Sequence, residues 1–236
     1  MRYDISVVIP AYNEATRLGS TLELAVDYLS RRNLSYELLV VDDGSRDGTA
    51  EVAEQFAARG VRVIRHERNR GKGAAIRTGA LASRGAEVLL SDADASTPIE
   101  ELEKLQPHLK EAPLVLGSRA VAGADIREHQ PFYRELMGKT FNRVIRLAGV
   151  RGLHDTQCGF KLLDGEVARE LAADLTIDGF AYDVELVWLA RRRGYRIVEI
   201  GVIWSNSADS RVDPIRSSFA MLRDVIRMRL RHSGGR

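Results

Sequence analysis

The sequence predicts an α/β fold with a mostly parallel central sheet and helices on both faces. Three observations predict it. Short apolar runs alternate with stretches of helical periodicity through the first half of the chain. The runs are continuous and rich in β-branched residues, as strands buried on both faces require. Each run gives way to Gly, Asp, Asn or Ser, the residues of connecting loops.

The elements follow in order. Ile5 to Ile9 reads as the first strand, and Leu18, Leu22, Ala25, Val26 and Leu29 mark the helix after it. Glu37 to Val41 is the second strand. Thr49 to Arg59 is a helix with Val52, Ala53, Phe56 and Ala57 on one face and Gly60 as its C-cap. Val61 to Arg65 is the third strand. Lys72 to Arg84 is a helix ending at Gly85, and Ala86 to Leu90 is the fourth strand. Pro98 opens an acidic helix over Ile99 to Leu109, proline being suited to a first turn. Leu114 to Gly117 is the fifth strand. Beyond it, 120–131 reads as a loop, Phe132 to Leu147 as a helix and Gly149 to Phe160 as a loop. Val184 to Arg193 reads as a helix, Arg196 to Ile203 as a strand and 205–211 (SNSADSR) as a polar loop. Ile215, Phe219, Leu222, Ile226 and Leu230 then form one face of a C-terminal amphipathic helix. The expected organisation is one domain over 1–212, split functionally into 1–119 and 120–212, with a basic helix and tail over 213–236.

Composition narrows the function. The 236 residues carry 35 Lys and Arg against 33 Asp and Glu, net +2, which argues against a chain-wide nucleic-acid binder. A hydrophobic content of 44% argues against disorder. One cysteine excludes an intramolecular disulfide framework and a Cys-rich zinc site. The opening MRYDISVVIPAYNE reads as a strand and loop rather than a signal peptide, and no apolar run approaches the ~20 residues of a membrane span. The expected location is cytoplasmic, peripheral on the inner face of a membrane. The charge is uneven: residues 211–236 hold seven Arg against two acids, while the first 210 hold 28 basic and 31 acidic residues. A basic tail on a mildly acidic body points to an anionic contact.

A parallel sheet binds ligands beyond the C-terminal ends of its strands. The residues there are Pro10-Ala11-Tyr12-Asn13-Glu14, Asp42-Asp43-Gly44-Ser45, Asn69-Arg70-Gly71-Lys72-Gly73, Asp92-Ala93-Asp94 and Gly117-Ser118-Arg119. Five polar ends on one edge make a cleft. Asp92 and Asp94 are the natural metal ligands, because two carboxylates closing an apolar strand repel unless a cation joins them. Mg²⁺ or Mn²⁺ suits such hard oxygens. Lys72 sits between glycines at a helix start, where backbone can approach an anion. Neither G-x-x-x-x-G-K-[ST] nor G-x-G-x-x-G after the first strand occurs, which argues against a P-loop and against a Rossmann dinucleotide enzyme. Without a G-x-G-x-R-type loop after the first strand, a nucleotidyltransferase is disfavoured. Intact Asp92, Asp94 and Arg119 speak against a non-catalytic nucleotide-binding regulator.

VVIPAYNE, VVDDGSRDGT, NRGKGAAIRTG, SDADAS and VLGSR together resemble the nucleotide-sugar domain of inverting family 2 glycosyltransferases. DTQCGFKL (155–162), FAYDVEL (180–186) and the final strand, loop and helix resemble the dolichyl-phosphate β-glucosyltransferase branch and, less closely, the dolichyl-phosphate mannose synthases. The resemblance implies a GT-A type nucleotide-sugar domain. It implies that Pro10, Tyr12 and Glu14 line the nucleoside pocket and that Asp42 accepts a hydrogen bond from the base. It places Lys72 near the nucleotide, Asp92 and Asp94 on metal and donor, and Arg119 against the phosphate groups of the active site, the acceptor phosphate included. Arg134 and Arg211 match positions where lipid-linked members place acceptor-phosphate cations. Ser96 stands where mannose synthases often carry glutamine, which favours the glucose branch.

The expected reaction is hexose transfer from a nucleotide-sugar donor, UDP-glucose, to a polyprenyl phosphate acceptor. A GDP-mannose donor is the alternative within the class. A soluble hydroxyl acceptor is a further alternative, and it would need a base. Asp183 and Glu185 are the candidates, Asp183 being the catalytic one; two apart on a helix, they do not share a face, so one is expected to face the donor sugar and the other solvent. Arg216, Arg223, Arg227 and Arg231 flank the apolar face of the last helix, a pattern suited to an anionic membrane surface.

Overall fold

The computed structural model describes residues 3–128, 152–206 and 214–232. The elements are β1 (Tyr3–Ala11), α1 (Leu18–Arg31), β2 (Tyr36–Asp42), α2 (Thr49–Glu54), β3 (Val61–Arg65), α3 (Lys72–Ala82) and β4 (Gly85–Leu90). After these come α4 (Leu102–Leu105), β5 (Leu114–Ser118), β6 (Asp125–Glu128), β7 (Lys161–Asp164) and α5 (Gly165–Asp174). The chain ends with α6 (Tyr182–Arg192), β8 (Ile197–Gly201), β9 (Ile203–Ser205) and α7 (Pro214–His232).

Seven strands form one sheet in the order β3-β2-β1-β4-β7-β5-β8, and β6 pairs with β9 alongside it. β1 is parallel to β2 and β4, β2 to β3, and β5 to β8. β7 alone is antiparallel, to both β4 and β5. Strands β1 to β5 therefore end on one edge, as the sequence predicts. The chain moves outward from β1 through β2 to β3, then returns to place β4 on the other side of β1. That reversal makes a crevice between the ends of β1 and β4. Because β7 runs backwards, the segment leading into it, Asp155 to Phe160, arrives at the same edge.

Side chains alternate across the strands and build two cores. Ile5, Val7, Ile9, Leu38, Val40 and Leu89 pack under α1 and α4, against Leu18, Leu22, Leu29, Leu102 and Leu105. Val8, Leu39, Val88, Leu90 and Leu163 face α3, α5 and α6, against Ile76, Leu171, Val184 and Val187.

Several boundaries differ from the expectation. The helix expected over Thr49 to Arg59 breaks after Glu54 into a 3₁₀ turn at Ala57–Arg59, closed by Gly60 with φ 86°. The one expected over Ile99 to Leu109 is mostly 3₁₀, with a single α turn at Leu102–Leu105; Pro107 cannot donate the amide an α-helix needs there. The strand expected over Arg196 to Ile203 changes partner at Val202, whose N–H goes to Ser118 O and whose carbonyl accepts from Asp125 N. Gly201 permits this, since a Cβ there would lie 2.4 Å from Ala124 N. β6, inside the stretch read as a loop, was not expected, nor were β7 and α5. α5 does carry a legible start, because Asp164 accepts from Glu166 N (2.9 Å) and Val167 N (3.2 Å) as an N-cap.

α7 packs on the body through Val225 and Met228, which are buried, with Met221 half-buried. The expected face points the other way: Leu222, Ile226 and Leu230 are 37%, 54% and 72% exposed. Both stripes have helical period, and the Met/Val stripe is the one that meets the core. Among the described residues no helix is long and apolar enough to cross a membrane.

Candidate active site

The nucleotide side of the crevice is held together by polar side chains bonding backbone. Asn13, in the left-handed region at φ 56°, donates its N–H to Ser45 Oγ (2.9 Å) and accepts from Arg46 N (3.0 Å). Glu14 N reaches Thr49 Oγ1 (2.8 Å), and Asp47 accepts from Ala15 N and Thr49 N. The β1 and β2 loops are thus stitched to each other. Asp43 is buried and accepts from Arg70 N (3.0 Å), Gly71 N (2.7 Å) and His66 Nδ1 (2.6 Å), so it fixes the turn that presents Lys72. Asp42 is buried as well. Its Oδ1 accepts from Ser45 N (3.0 Å), while among the described residues Oδ2 has no hydrogen-bond partner, with Arg65 Nε 3.4 Å away. Tyr12 is 44% exposed, Pro10 is buried, and Glu14 grips Arg17 through both carboxylate oxygens.

The glycines around Lys72 have a different purpose from the one expected. Gly71 adopts φ 110°, and a Cβ on it would lie 2.3 Å from Asp178 O. On Gly73 a Cβ would lie 2.3 Å from Ile177 O and 2.8 Å from Gly179 O. Ala74 N donates to Asp178 O at 3.1 Å. The bare backbone at Gly71 and Gly73 therefore receives the 177–179 loop of this protein rather than a ligand.

Opposite charges alternate across the floor. Lys72 Nζ donates to Asp92 Oδ1 at 2.5 Å. Burial disfavours both charges, yet their attraction wins: Lys72 is held above its ordinary pKa and Asp92 below. Gly159 packs directly on Asp92, and a Cβ there would lie 2.1 Å from Oδ2. Asp94 is half-exposed, and its Oδ1 accepts from Ser96 N at 3.0 Å. Lys161 is fully buried at the start of β7 and donates to Cys158 O (2.5 Å) and to Asp183 Oδ1. Burial raises the Asp183 carboxyl, with Lys161 and Lys72 pulling the other way.

Arg119, at the end of β5, is clasped by Asp155. Its Nε and Nη2 donate to the two carboxylate oxygens at 2.7 and 2.9 Å, and its backbone N–H adds a third bond at 3.0 Å. Trp204 lies under the guanidinium, 5.3 Å from ring centroid to Cζ. Glu199 on β8 accepts from His154 N (2.8 Å) and Asp155 N (2.7 Å).

The structure brings Pro10, Tyr12, Glu14, Asp42, Lys72, Asp92, Asp94, Arg119 and Asp183 to one edge. Arg134, Arg211 and the expected helix over Phe132 to Leu147 lie outside the described residues. The expectation that one of the two acids faces solvent is corrected: Asp183 and Glu185 are both buried, and Glu185 accepts from Thr176 N, Thr176 Oγ1 and Ile177 N. A loop with unpaired amides draws the carboxylate inward. Asp43 was read only as part of a strand end and Asp155, Gly159 and Lys161 only as part of a motif; their roles, and Glu199 altogether, were missed. Lys161 did carry a signal, a charge inside the apolar run Gly159-Phe160-Lys161-Leu162-Leu163, since lysine is seldom buried without a partner.

Residues 6–172 match the family described as Glycosyl transferase family 2. The dolichyl-phosphate beta-glucosyltransferase of Homo sapiens is 37% identical over 98% of this chain and 76% of its own length. That of Dictyostelium discoideum is 34% identical over 97% of this chain and 74% of its own. The chain belongs to glycosyltransferase family 2. Among solved structures, mannosyl-3-phosphoglycerate synthase from Rubrobacter xylanophilus superposes with a TM-score of 0.73 at 24% identity, covering 98% of this chain and 75% of that one. Glucosyl-3-phosphoglycerate synthase from Mycobacterium tuberculosis, in complex with Mn²⁺, UDP and glucosyl-3-phosphoglycerate, gives 0.71 at 23%, covering 98% and 80%. These likenesses establish the GT-A fold.

The carboxylates of this glycosyltransferase suit a divalent cation. Asp94 has one oxygen outside the hydrogen bond to Ser96, and Asp92 shares its charge with Lys72. Among the described residues no group of three or more His, Cys, Asp or Glu could hold a metal. Two carboxylates, completed by substrate phosphates, is a common arrangement for Mg²⁺ and its relatives.

Proposed function

We propose that this protein transfers glucose from UDP-glucose to a polyprenyl phosphate of the dolichyl type, with inversion at the anomeric carbon. The observation that carries the reading is the likeness, over 98% of the chain, to relatives named dolichyl-phosphate beta-glucosyltransferase. The site supports it. Asp42 Oδ2, with no hydrogen-bond partner among the described residues, suits a base N–H, and the exposed ring of Tyr12 at the end of β1 suits a nucleoside. Pro10 and Glu14 shape that pocket, and Lys72 faces the nucleotide.

Asp92 and Asp94 would hold Mg²⁺ or Mn²⁺, which supplies Lewis-acid stabilisation of the diphosphate. Arg119 adds a fixed positive charge where the leaving group gains negative charge. An acceptor oxygen attacks the anomeric carbon as the bond to the diphosphate breaks. A phosphate monoester, with a second pKa of about 6, is already a nucleophile at neutral pH. It needs positioning rather than deprotonation. Glu185 is spent on the 176–177 amides. Asp183, paired with Lys161 through Oδ1, is the group that would serve as base if the acceptor were a hydroxyl. Arg134 and Arg211 are proposed to meet the acceptor phosphate.

A lipid phosphate has to be met at a membrane. The outward stripe Leu222, Ile226 and Leu230, bordered by exposed Arg223, Arg227 and Arg231, is suited to an anionic lipid surface on the cytoplasmic side. Met221 accepts from Gln157 Nε2 at 3.5 Å, which sets this helix beside the loop that holds Asp155. Ile226→Asp should leave the fold intact and weaken sedimentation with phosphatidylglycerol vesicles; undiminished sedimentation would remove α7 as the contact.

The function is tested with labelled UDP-glucose or GDP-mannose, Mg²⁺ or Mn²⁺, and polyprenyl phosphate in detergent. Label entering the organic phase from UDP-glucose and lost with EDTA is the expected result. Label from GDP-mannose alone would overturn the donor, and none from either would overturn the acceptor.

A further inference from the structure

Arg119 is fixed along two directions. Asp155 takes one edge of the guanidinium, Nε and Nη2, with two near-parallel bonds. Trp204 takes one face. A planar fork held by an edge and a face has no rotational freedom left except by breaking one of them. What remains is Nη1 and the outer hydrogen of Nη2, which have no hydrogen-bond partner among the described residues.

The clasp is itself anchored. Glu199 receives the amides of His154 and Asp155, so the Asp155 backbone cannot drift along the edge of the sheet. Asp155 also accepts from the Arg119 backbone N–H and, at 3.2 Å, from Gln157 N. Trp204 lies on β9, which pairs with β6 rather than with the main sheet. The change of partner at Val202 is therefore what turns the indole toward Arg119. Two side chains from separate segments hold one guanidinium, and β8 anchors one of them through Glu199. Asp155 stays ionised despite its burial because Arg119 is beside it.

We propose that Asp155 and Trp204 are positioning residues that hold the free N–H edge of Arg119 toward the diphosphate of the donor. The inference rests on the proposed role of Arg119 in the transfer reaction. Asp155 orients the arginine and touches neither substrate. Trp204 sets the plane in which the remaining N–H bonds point. Both keep the arginine in its reacting pose before substrate arrives, so that little of the binding energy goes into ordering it.

A double-mutant cycle tests this on the full-length protein, with UDP-glucose and polyprenyl phosphate as substrates. The variants are Arg119→Lys, Asp155→Asn and the pair, with Trp204→Phe as a milder second probe of the plane. Asp155→Asn keeps the shape and loses the charge. The expected result is a fall in kcat of about tenfold or more for Arg119→Lys and for Asp155→Asn, with KM for acceptor little changed. The pair should be no worse than Arg119→Lys alone, and Trp204→Phe should lower kcat with the melting temperature near wild type. Strict additivity of the two losses, or a loss in Asp155→Asn that matches only its unfolded fraction, would show Asp155 to be structural and overturn the positioning role. Full activity in Arg119→Lys would overturn the role of Arg119 and this inference with it. Equal loss of transfer and of UDP binding in Trp204→Phe would move the indole to the nucleotide pocket.

Discussion

The two walls of the crevice are built by different means. On the nucleotide side, carboxylates and hydroxyls bond backbone amides: Asp43 to Arg70 and Gly71, Asp47 to Ala15 and Thr49, Ser45 to Asn13. On the opposite side, side-chain ion pairs do the work: Lys161 to Asp183, and Arg119 to Asp155. Amide-bonded loops keep their shape if one side chain is trimmed, because the neighbouring turn bonds remain. Ion-paired groups depend on each other, and removing one strands a buried charge. The nucleotide wall is a moulded surface, and the other wall is a set of coupled charges.

The sharpest way to break that contrast is at Lys161. Lys161→Met leaves Asp183 buried and unpaired, and should destabilise by about 3–5 kcal/mol. Lys161→Met combined with Asp183→Leu should recover most of the loss, because an apolar pair carries no desolvation penalty. Denaturant melts of the single and double variants check it; equal destabilisation in both would mean that packing, not charge, holds this wall. Asp94→Ala comes next. It should lower turnover by about a hundredfold or more while the melting temperature holds, since among the described residues its side chain bonds only a local amide. Turnover at the wild-type rate would refute its part in holding metal and donor. Gly73→Ala forces a methyl against Ile177 O and Gly179 O, and should cost about 1–3 kcal/mol in a thermal melt. No change would mean the 177–179 loop yields freely. A smaller effect concerns acid. The native pKa of Asp155 lies below its unfolded value, so its stabilisation is present above pH about 3.9 and fades as pH falls through the native value. The stability gap between wild type and Asp155→Asn should therefore close in acid, and a gap constant with pH would contradict the ion pair.

The same contrast explains what the sequence revealed. The nucleotide wall and the floor lie in short contiguous motifs, so Asp42, Lys72, Asp92 and Asp94 were legible after strand ends. The purpose of Gly71 and Gly73 was not, because their neighbour at 177–179 lies about a hundred positions along the chain. Lys161 finds Asp183 22 residues away, and Asp155 finds Arg119 and Glu199 at separations of 36 and 44. No local pattern encodes such pairings. β7 escaped for a similar reason: four residues, antiparallel in a parallel sheet, carry no period of their own. On α7 the period was legible but the inward stripe was not, since Met221, Val225 and Met228 repeat as well as Leu222, Ile226 and Leu230.

The central claim is that the acceptor phosphate brings its own nucleophile, so that transfer needs no base on the protein. The most direct measurement is the pH dependence of kcat/KM for acceptor, comparing polyprenyl phosphate with a polyprenyl phosphonate of higher second pKa. The acid limb should lie near pH 6 for the phosphate and move upward with the phosphonate by the difference between the two acceptors. An acid limb at the same pH for both acceptors would place the titrating group on the protein and contradict the account.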